Sequence, residues 1–140
     1  MFLCIPAHAQ DREAPVRKAI QAFYAAFGQG FSGNASTFAT EDWNHINPFG
    51  GRTRGRDAVL KEVVEVHATF LKGVTDTIET MDIRFADPNV AVATVTSRMS
   101  PFKTPDGISH SHDHPIRTFV VVRRGERWLI MQDQNTNIVQ

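Results

Sequence analysis

The rhythm of apolar positions changes near Gly73, dividing the chain into a helical first half and a stranded second half. Val16, Ile20, Phe23 and Phe27 recur at intervals of three and four, which predicts one face of an amphipathic helix. Asp11 offers its cap, Pro15 suits its first turn, and Gly28 and Gly30 stop it. A short second helix is predicted around Ala35 to Ala39, capped by Asn34. Glu41 to Asn47 has no helical period and ends at Pro48, so it reads as a strand, followed by a turn at Phe49-Gly50-Gly51-Arg52 and a very short return strand. A third helix begins near Arg56 or Asp57. Its two adjacent stripes, Val59/Val63/Val66/Phe70 and Leu60/Val64/His67/Leu71, form a face wide enough to pack on a sheet.

Beyond Gly73, Thr77–Phe85 alternates Met81, Ile83 and Phe85 on one face, and Val90–Met99 is rich in the β-branched residues that strands favour. Ile116–Arg123 and Arg127–Asn135 flank a hairpin signal at Arg124-Gly125-Glu126. Helices first and strands later predict an α+β fold. The expected architecture is a cone of three N-terminal helices packed in a curved, mostly antiparallel sheet, open at one end.

Composition narrows the partners. With 15 Lys+Arg against 15 Asp+Glu, and no like-charge block, the chain lacks the electrostatic footprint of a nucleic-acid binder. No run approaches the ~18 apolar residues of a membrane span. Cys4 is the single cysteine, so neither an internal disulfide nor a Cys-based metal motif is available. Residues 1–10 read as the remnant of a signal peptide or a disordered N-terminus. Ala7-His8-Ala9 fits a small-x-small cleavage pattern, which favours a secreted or periplasmic protein over a cytoplasmic one. Residues 11–140 are expected to form a single domain.

Three segments carry a family likeness. Asn47-Pro48-Phe49-Gly50 lies where ketosteroid isomerases carry an Asp-Pro-x-Gly segment. Gly55-Arg56-Asp57-Ala58-Val59 looks like a Gly-Arg-x-x-Ile helix start, and Arg127-Trp128-Leu129-Ile130 like a Gly-x-Trp-x-Ile last strand. In this order and spacing they resemble the nuclear transport factor 2-like superfamily. Ile116 to Val122 followed by Trp128 to Thr136 looks most like its SnoaL-like SgcJ/EcaC group. The resemblance implies a cystatin-like cone with a ligand pocket in its mouth, and a homodimer. The fold hosts isomerases, cyclases, dehydratases and non-enzymes, so the activity has to be argued from the site.

The resemblance places Tyr24 where the isomerase branch has its hydrogen-bond-donating tyrosine, and Asn47 where that branch has its carboxylate base. An amide takes no proton near neutral pH, so a base has to come from elsewhere. Trp43, His45 and Asn47 are spaced by two and share one face of their strand. If that face lines the cone, His45 is the general acid/base candidate, since an imidazole titrates near ~6.5. His67 lies on the apolar face of the third helix, where it is either a core residue bonded to a backbone carbonyl or a partner for His45. Gln132 and Gln134 continue the alternation of Trp128 and Ile130 and are expected to line the mouth. Asp133 then falls on the opposite, convex face as an interface or surface residue. Arg117 faces either way according to the length of the hairpin turn. A surface ion pair is the default for it and for Arg98, with ligand binding by Arg117 the alternative. His110, His112 and His114 alternate at a loop-to-strand junction before Pro115. No distant fourth ligand is identifiable, so they are read as a polar rim with His112 touching ligand, not as a metal site.

No Gly-rich dinucleotide fingerprint and no flavin or haem motif is present, so no cofactor is expected. Two functions fit. One is acid/base chemistry (cyclisation, isomerisation or dehydration) on a small apolar organic substrate, with His45 and Tyr24 as the chemical groups and Trp43, Asn47, His67, Gln132, Gln134, Arg117 and His112 around the ligand. The other is a non-catalytic ligand-binding or dimerisation module.

Overall fold

The computed structural model describes residues 7–139. The predicted leader remnant lies largely outside the described residues; Ala7–Gln10 alone are seen, as the first turn of helix α1 (Ala7–Gly28). That helix therefore runs through Pro15 and does not start at it. Its buried face is the predicted one, Val16, Ile20, Phe23 and Phe27, with Tyr24 added. It stops at Gly30 (φ 66°) and Phe31 (φ 56°). A left-handed phenylalanine is uncommon, and here the turn drops the Phe31 ring beside Phe23 and Phe27.

The predicted second helix is a single 3₁₀ turn, Ala35–Thr37, with the Asn34 side chain accepting from Ser36 N–H. Among the described residues two α-helices are present instead of three. Strands β1 (Ala39–Ile46) and β2 (Arg52–Arg54) pair antiparallel, and α2 (Arg56–Ala68) follows. Then come β3 (Asp76–Asp87), β4 (Val90–Met99), a miniature hairpin of β5 (Phe102–Lys103) and β6 (Ser109–His110), and finally β7 (Pro115–Arg124) and β8 (Arg127–Asn137).

The large sheet runs β2-β1-β8-β7-β4-β3. Every neighbouring pair is antiparallel except β1 with β8, which are parallel. This parallel pairing brings a strand from the first half of the chain beside the last strand, and it decides the site. No helix among the described residues is long and apolar enough to cross a membrane.

The core is aromatic at its centre. Phe23 meets Tyr24, Phe31, Phe38, Trp43 and Phe119 edge to face, with ring centroids 5.3 to 6.2 Å apart. That is the spacing at which ring quadrupoles attract. One helix residue thus ties α1 to the 3₁₀ turn, β1 and β7.

One irregularity redirects the last strand. Between β7 and β8, Val121 faces Ile130 and Val120 faces Gln132, so Met131 is an extra residue bulging out of register. A bulge of this kind shifts the alternation by one. Ile130 is inside, but beyond Met131 the inward positions are Asp133 and Asn135, both buried, while Gln132 is half-buried and Gln134 exposed.

Phe119 is fully buried in this cluster. Phe119→Ala is expected to destabilise the fold by about 3–5 kcal/mol, measured as a lower urea midpoint at unchanged slope.

Candidate functional site

A cavity of about 220 Å³ opens between the helices and the concave side of the sheet. Its walls are mostly apolar, from Phe23, Phe27 and Phe31 on the α1 side, Val63 and Val66 on α2, and Phe102 at the rim. Into this lining project a few polar side chains, among them His45, Glu62, His67, Arg117 and Asn135.

The strongest constellation is built on the parallel β1–β8 pairing, in which His45 and Asp133 are direct partners. His45 Nδ1 lies 2.8 Å from Asp133 Oδ2, and Trp43 Nε1–H donates to Asp133 Oδ1 at 2.7 Å. Asp133 is entirely buried. A carboxylate there accepts the Nδ1–H, which sets the imidazole tautomer and leaves Nε2 as the nitrogen offered to the cavity. Burial works against the charged form of His45. The hydrogen bond and the charge of Asp133, with a further contribution from Glu62, outweigh it and hold the His45 pKa above the ordinary histidine value. Glu62 reaches the site from α2, its carboxylate accepting from the Thr53 hydroxyl. Neither Glu62 nor the inward Asp133 is anticipated in the sequence reading. Asp133 corrects the expectation of a convex-face residue, and the bulge at Met131 is the reason.

The same bulge takes both glutamines off the cavity wall. Gln132 Oε1 instead accepts from Asn44 Nδ2 at 3.2 Å, and Gln134 is exposed. Trp43 and His45 share the inner face, as their spacing requires, but Trp43 is a fully buried anchor for Asp133 and does not line the cavity. Asn47 is at the cavity rim. Its Oδ1 accepts from the Phe49 and Gly51 amides, both at 2.9 Å, so this side chain organises the turn after β1.

Arg117 is buried, not a surface residue, and is 3% exposed. Its NH1 donates to Asp76 Oδ2 at 2.5 Å and to the Tyr24 hydroxyl oxygen at 3.2 Å, and the guanidinium lies against the rings of Phe23, Tyr24 and Phe27. Burial disfavours its charge, but Tyr24 and Asp76 overcome that and the guanidinium stays protonated. Tyr24 is thereby corrected too. It does not line the cavity, and its hydroxyl is engaged by Arg117. Burial, against the lowering effect of Arg117, pushes its phenol above the ordinary value. Arg98 does form the expected surface pair, with Glu79 at 3.1 Å.

His67 is buried at the cavity, its Nδ1 2.8 Å from the Val63 carbonyl oxygen and its ring 4.4 Å from that of Phe27. Burial lowers its pKa, against the backbone bond, so it is neutral. Nδ1–H donates to the carbonyl and Nε2 keeps a lone pair. The rim histidines diverge. His110 stacks on Phe102 at 4.6 Å beside Asp113, His112 is exposed and away from the cavity, and His114 lies 3.0 Å from Glu79. Among the described residues no group of three His, Cys, Asp or Glu side chains is placed to hold a metal ion.

Removing one half of a buried ion pair strands the other charge. Asp76→Ala is expected to cost about 3–5 kcal/mol in urea unfolding, whereas the double change Asp76→Leu with Arg117→Met should recover most of the loss.

The comparisons agree with this architecture. The family profile of the SnoaL-like domain matches residues 20–129. No curated protein matches the chain. Among solved structures, an uncharacterised protein with a cystatin-like fold from Caulobacter vibrioides superposes with a TM-score of 0.87 at 24% identity, covering 92% of this chain and 91% of that one. A hexachlorocyclohexane dehydrochlorinase of type 2 gives a TM-score of 0.81 at 10% identity, over 94% of this chain and 88% of its own. A candidate scytalone dehydratase from Novosphingobium aromaticivorans gives 0.75 at 14% identity, over 96% and 89%. At these identities the likeness is one of fold. Together with the profile match over most of its length, it shows that the chain belongs to the SnoaL-like domain family of the nuclear transport factor 2-like superfamily.

Proposed function

We propose that this protein is an acid–base enzyme that uses the His45–Asp133 dyad to remove a proton next to the carbonyl of a small, largely apolar organic substrate, and then completes an isomerisation, a cyclisation or the loss of water. The observation that carries the reading is the fully buried Asp133 carboxylate held between Trp43 and His45. A structural histidine needs no such support. A histidine that must gain and lose a proton does, because the carboxylate both fixes the tautomer and stabilises the imidazolium.

The steps follow from the placement. His45 Nε2 takes the proton from carbon, and the charge it acquires is balanced by Asp133 and by the nearby Glu62. The electrons of the C–H bond move toward the carbonyl oxygen, where a cation lowers the barrier. The Arg117 guanidinium lines the cavity and supplies that positive charge through space. When a hydroxyl sits β to the new carbanion, the enolate re-forms the carbonyl as the C–O bond breaks, and imidazolium Nε2–H supplies the proton that makes the departing group water. With no such group, the same proton returns to another carbon and the outcome is isomerisation. Two of the solved relatives are named for eliminations, a dehydratase and a dehydrochlorinase, and that class of chemistry suits this dyad. Cavity size limits the substrate. An apolar cavity of ~150 Å³ holds one benzene, so about 220 Å³ admits one or two rings.

Proton abstraction is detectable without the natural substrate. Exchange of the α-hydrogens of 2-indanone and 1-tetralone for deuterium, followed by proton NMR in D2O, is expected to be faster with the protein than in buffer. His45→Gln should return it to the buffer rate, and Asp133→Asn, which presents an N–H to Nδ1 and traps the wrong tautomer, should lose about 10²–10⁴-fold. Exchange undiminished in His45→Gln, or no acceleration by the wild type, rejects the proposal.

The pH dependence has a definite sign. The base is neutral His45, so exchange should rise with pH through an inflection above ~6.5. In Asp133→Asn only Glu62 is left to oppose burial, and the His45 pKa should fall below that of the wild type, read directly by NMR titration of the ring. An unchanged titration midpoint would show that Asp133 does not act on His45.

A further inference from the structure

The cavity holds a second polar group that the dyad does not use. Arg117 Nε, Asn135 Oδ1 and His67 Nε2 are buried, and each lacks a hydrogen-bond partner. All three residues line the cavity, and each is at least nine-tenths buried. Arg117 and Asn135 face each other directly across β7 and β8. His67 comes from α2 on the other side, and both it and Arg117 lie against the Phe27 ring, at 4.4 and 5.9 Å. Unpaired buried polar atoms are costly and uncommon. Three in one cavity point to a ligand that completes them.

Their chemistry defines that ligand. Arg117 Nε–H is a donor. Asn135 Oδ1 is an acceptor, and so is His67 Nε2, because the His67 proton is engaged at Nδ1 by the Val63 carbonyl. Of the unpaired buried atoms, one is therefore a donor and two are acceptors. A carboxylate or phosphate satisfies the donor but meets two lone pairs. A ketone oxygen satisfies the donor alone. A hydroxyl accepts from Arg117 and donates to Asn135 or His67, so it alone of these groups serves both sides.

We infer that Arg117, Asn135 and His67 form a subsite for a neutral hydroxyl group, and that the ligands of this cavity are alcohols or phenols on a one- or two-ring apolar frame. The inference deepens the acid–base reading by naming a group its substrate carries. It shares the cavity with that reading but does not need the dyad to be catalytic.

Three matched probes test it: 1-indanol, indane and indane-1-carboxylate, with binding followed by NMR titration. In the wild type 1-indanol should bind about tenfold more tightly than indane, the worth of a well-paired buried hydrogen bond, and the carboxylate more weakly than either. Asn135→Leu and His67→Phe keep the volume but remove an acceptor, so each should reduce the preference for 1-indanol while leaving indane affinity intact. The ¹⁵N resonance of His67 Nε2 or the Asn135 side-chain amide in the unmutated protein should move with 1-indanol and not with indane, a readout that does not depend on any variant folding. His45→Gln should keep the preference, which separates this subsite from the dyad. The inference is overturned if 1-indanol shows no preference over indane, whether both bind or neither does. It is equally overturned if the carboxylate binds best, or if the preference survives both substitutions.

Discussion

The buried carboxylate of Asp133 is the constraint around which the cone is organised. A carboxylate removed from water is strongly disfavoured unless its oxygens are bonded. Here one oxygen takes the Trp43 indole N–H and the other the His45 imidazole. Both partners stand on β1, so the requirement welds the first strand to the last across the only parallel pairing of the large sheet among the described residues. It also dictates the state of His45, holding its proton on the carboxylate side and its lone pair on the cavity side. Fold and chemistry thus meet at one side chain.

A second buried charge pair occupies the neighbouring strand positions. Going along β7, Phe119 opposes Asp133 and Arg117 opposes Asn135. Arg117 is balanced by Asp76 at the start of β3 and by the Tyr24 hydroxyl on α1. The concave face is therefore graded. Ile130, Phe119 and Val121 make an apolar floor, and Asp133, Arg117 and Asn135 bring polarity in where the cavity lies. Dispersion and aromatic contacts hold the floor together, while the polar layer is kept in place by charge pairing that leaves specific atoms unspent. A site of this kind recognises a ligand mainly by shape and settles its orientation with a few hydrogen bonds.

Arg117 also links the two histidines. Its charge opposes protonation of both His45 and His67. At His45 the adjacent Asp133 outweighs both burial and that charge, whereas at His67 burial prevails over the Val63 carbonyl bond, so two imidazoles in one cavity are driven apart in basicity. Pairs of titratable groups pushed apart by their surroundings are a recurring feature of acid–base sites. Here His45 is equipped to take a charge and His67 to remain a neutral acceptor.

Much of this was legible in the residues alone. Apolar spacing in Val16 to Phe27 and Val59 to His67, and alternation in the later strands, express periods of 3.6 and 2 that any burial must obey, so the α+β order and the sharing of one strand face by Trp43 and His45 follow from sequence. What sequence could not supply are relations between distant segments. The bulge at Met131 carries no turn residue to announce it, yet it moved Asp133 inward and the glutamines off the cavity wall. Arg117 is buried because Asp76, 41 positions away, is folded against it, and Tyr24 is occupied by that same arginine. The histidines at 110, 112 and 114 diverge because their segment is a short hairpin end and not a regular strand. Local periodicity determined which residues are paired with the core; strand register and long-range charge pairing, which exist only once the chain is folded, decided which of them face the cavity and in what state.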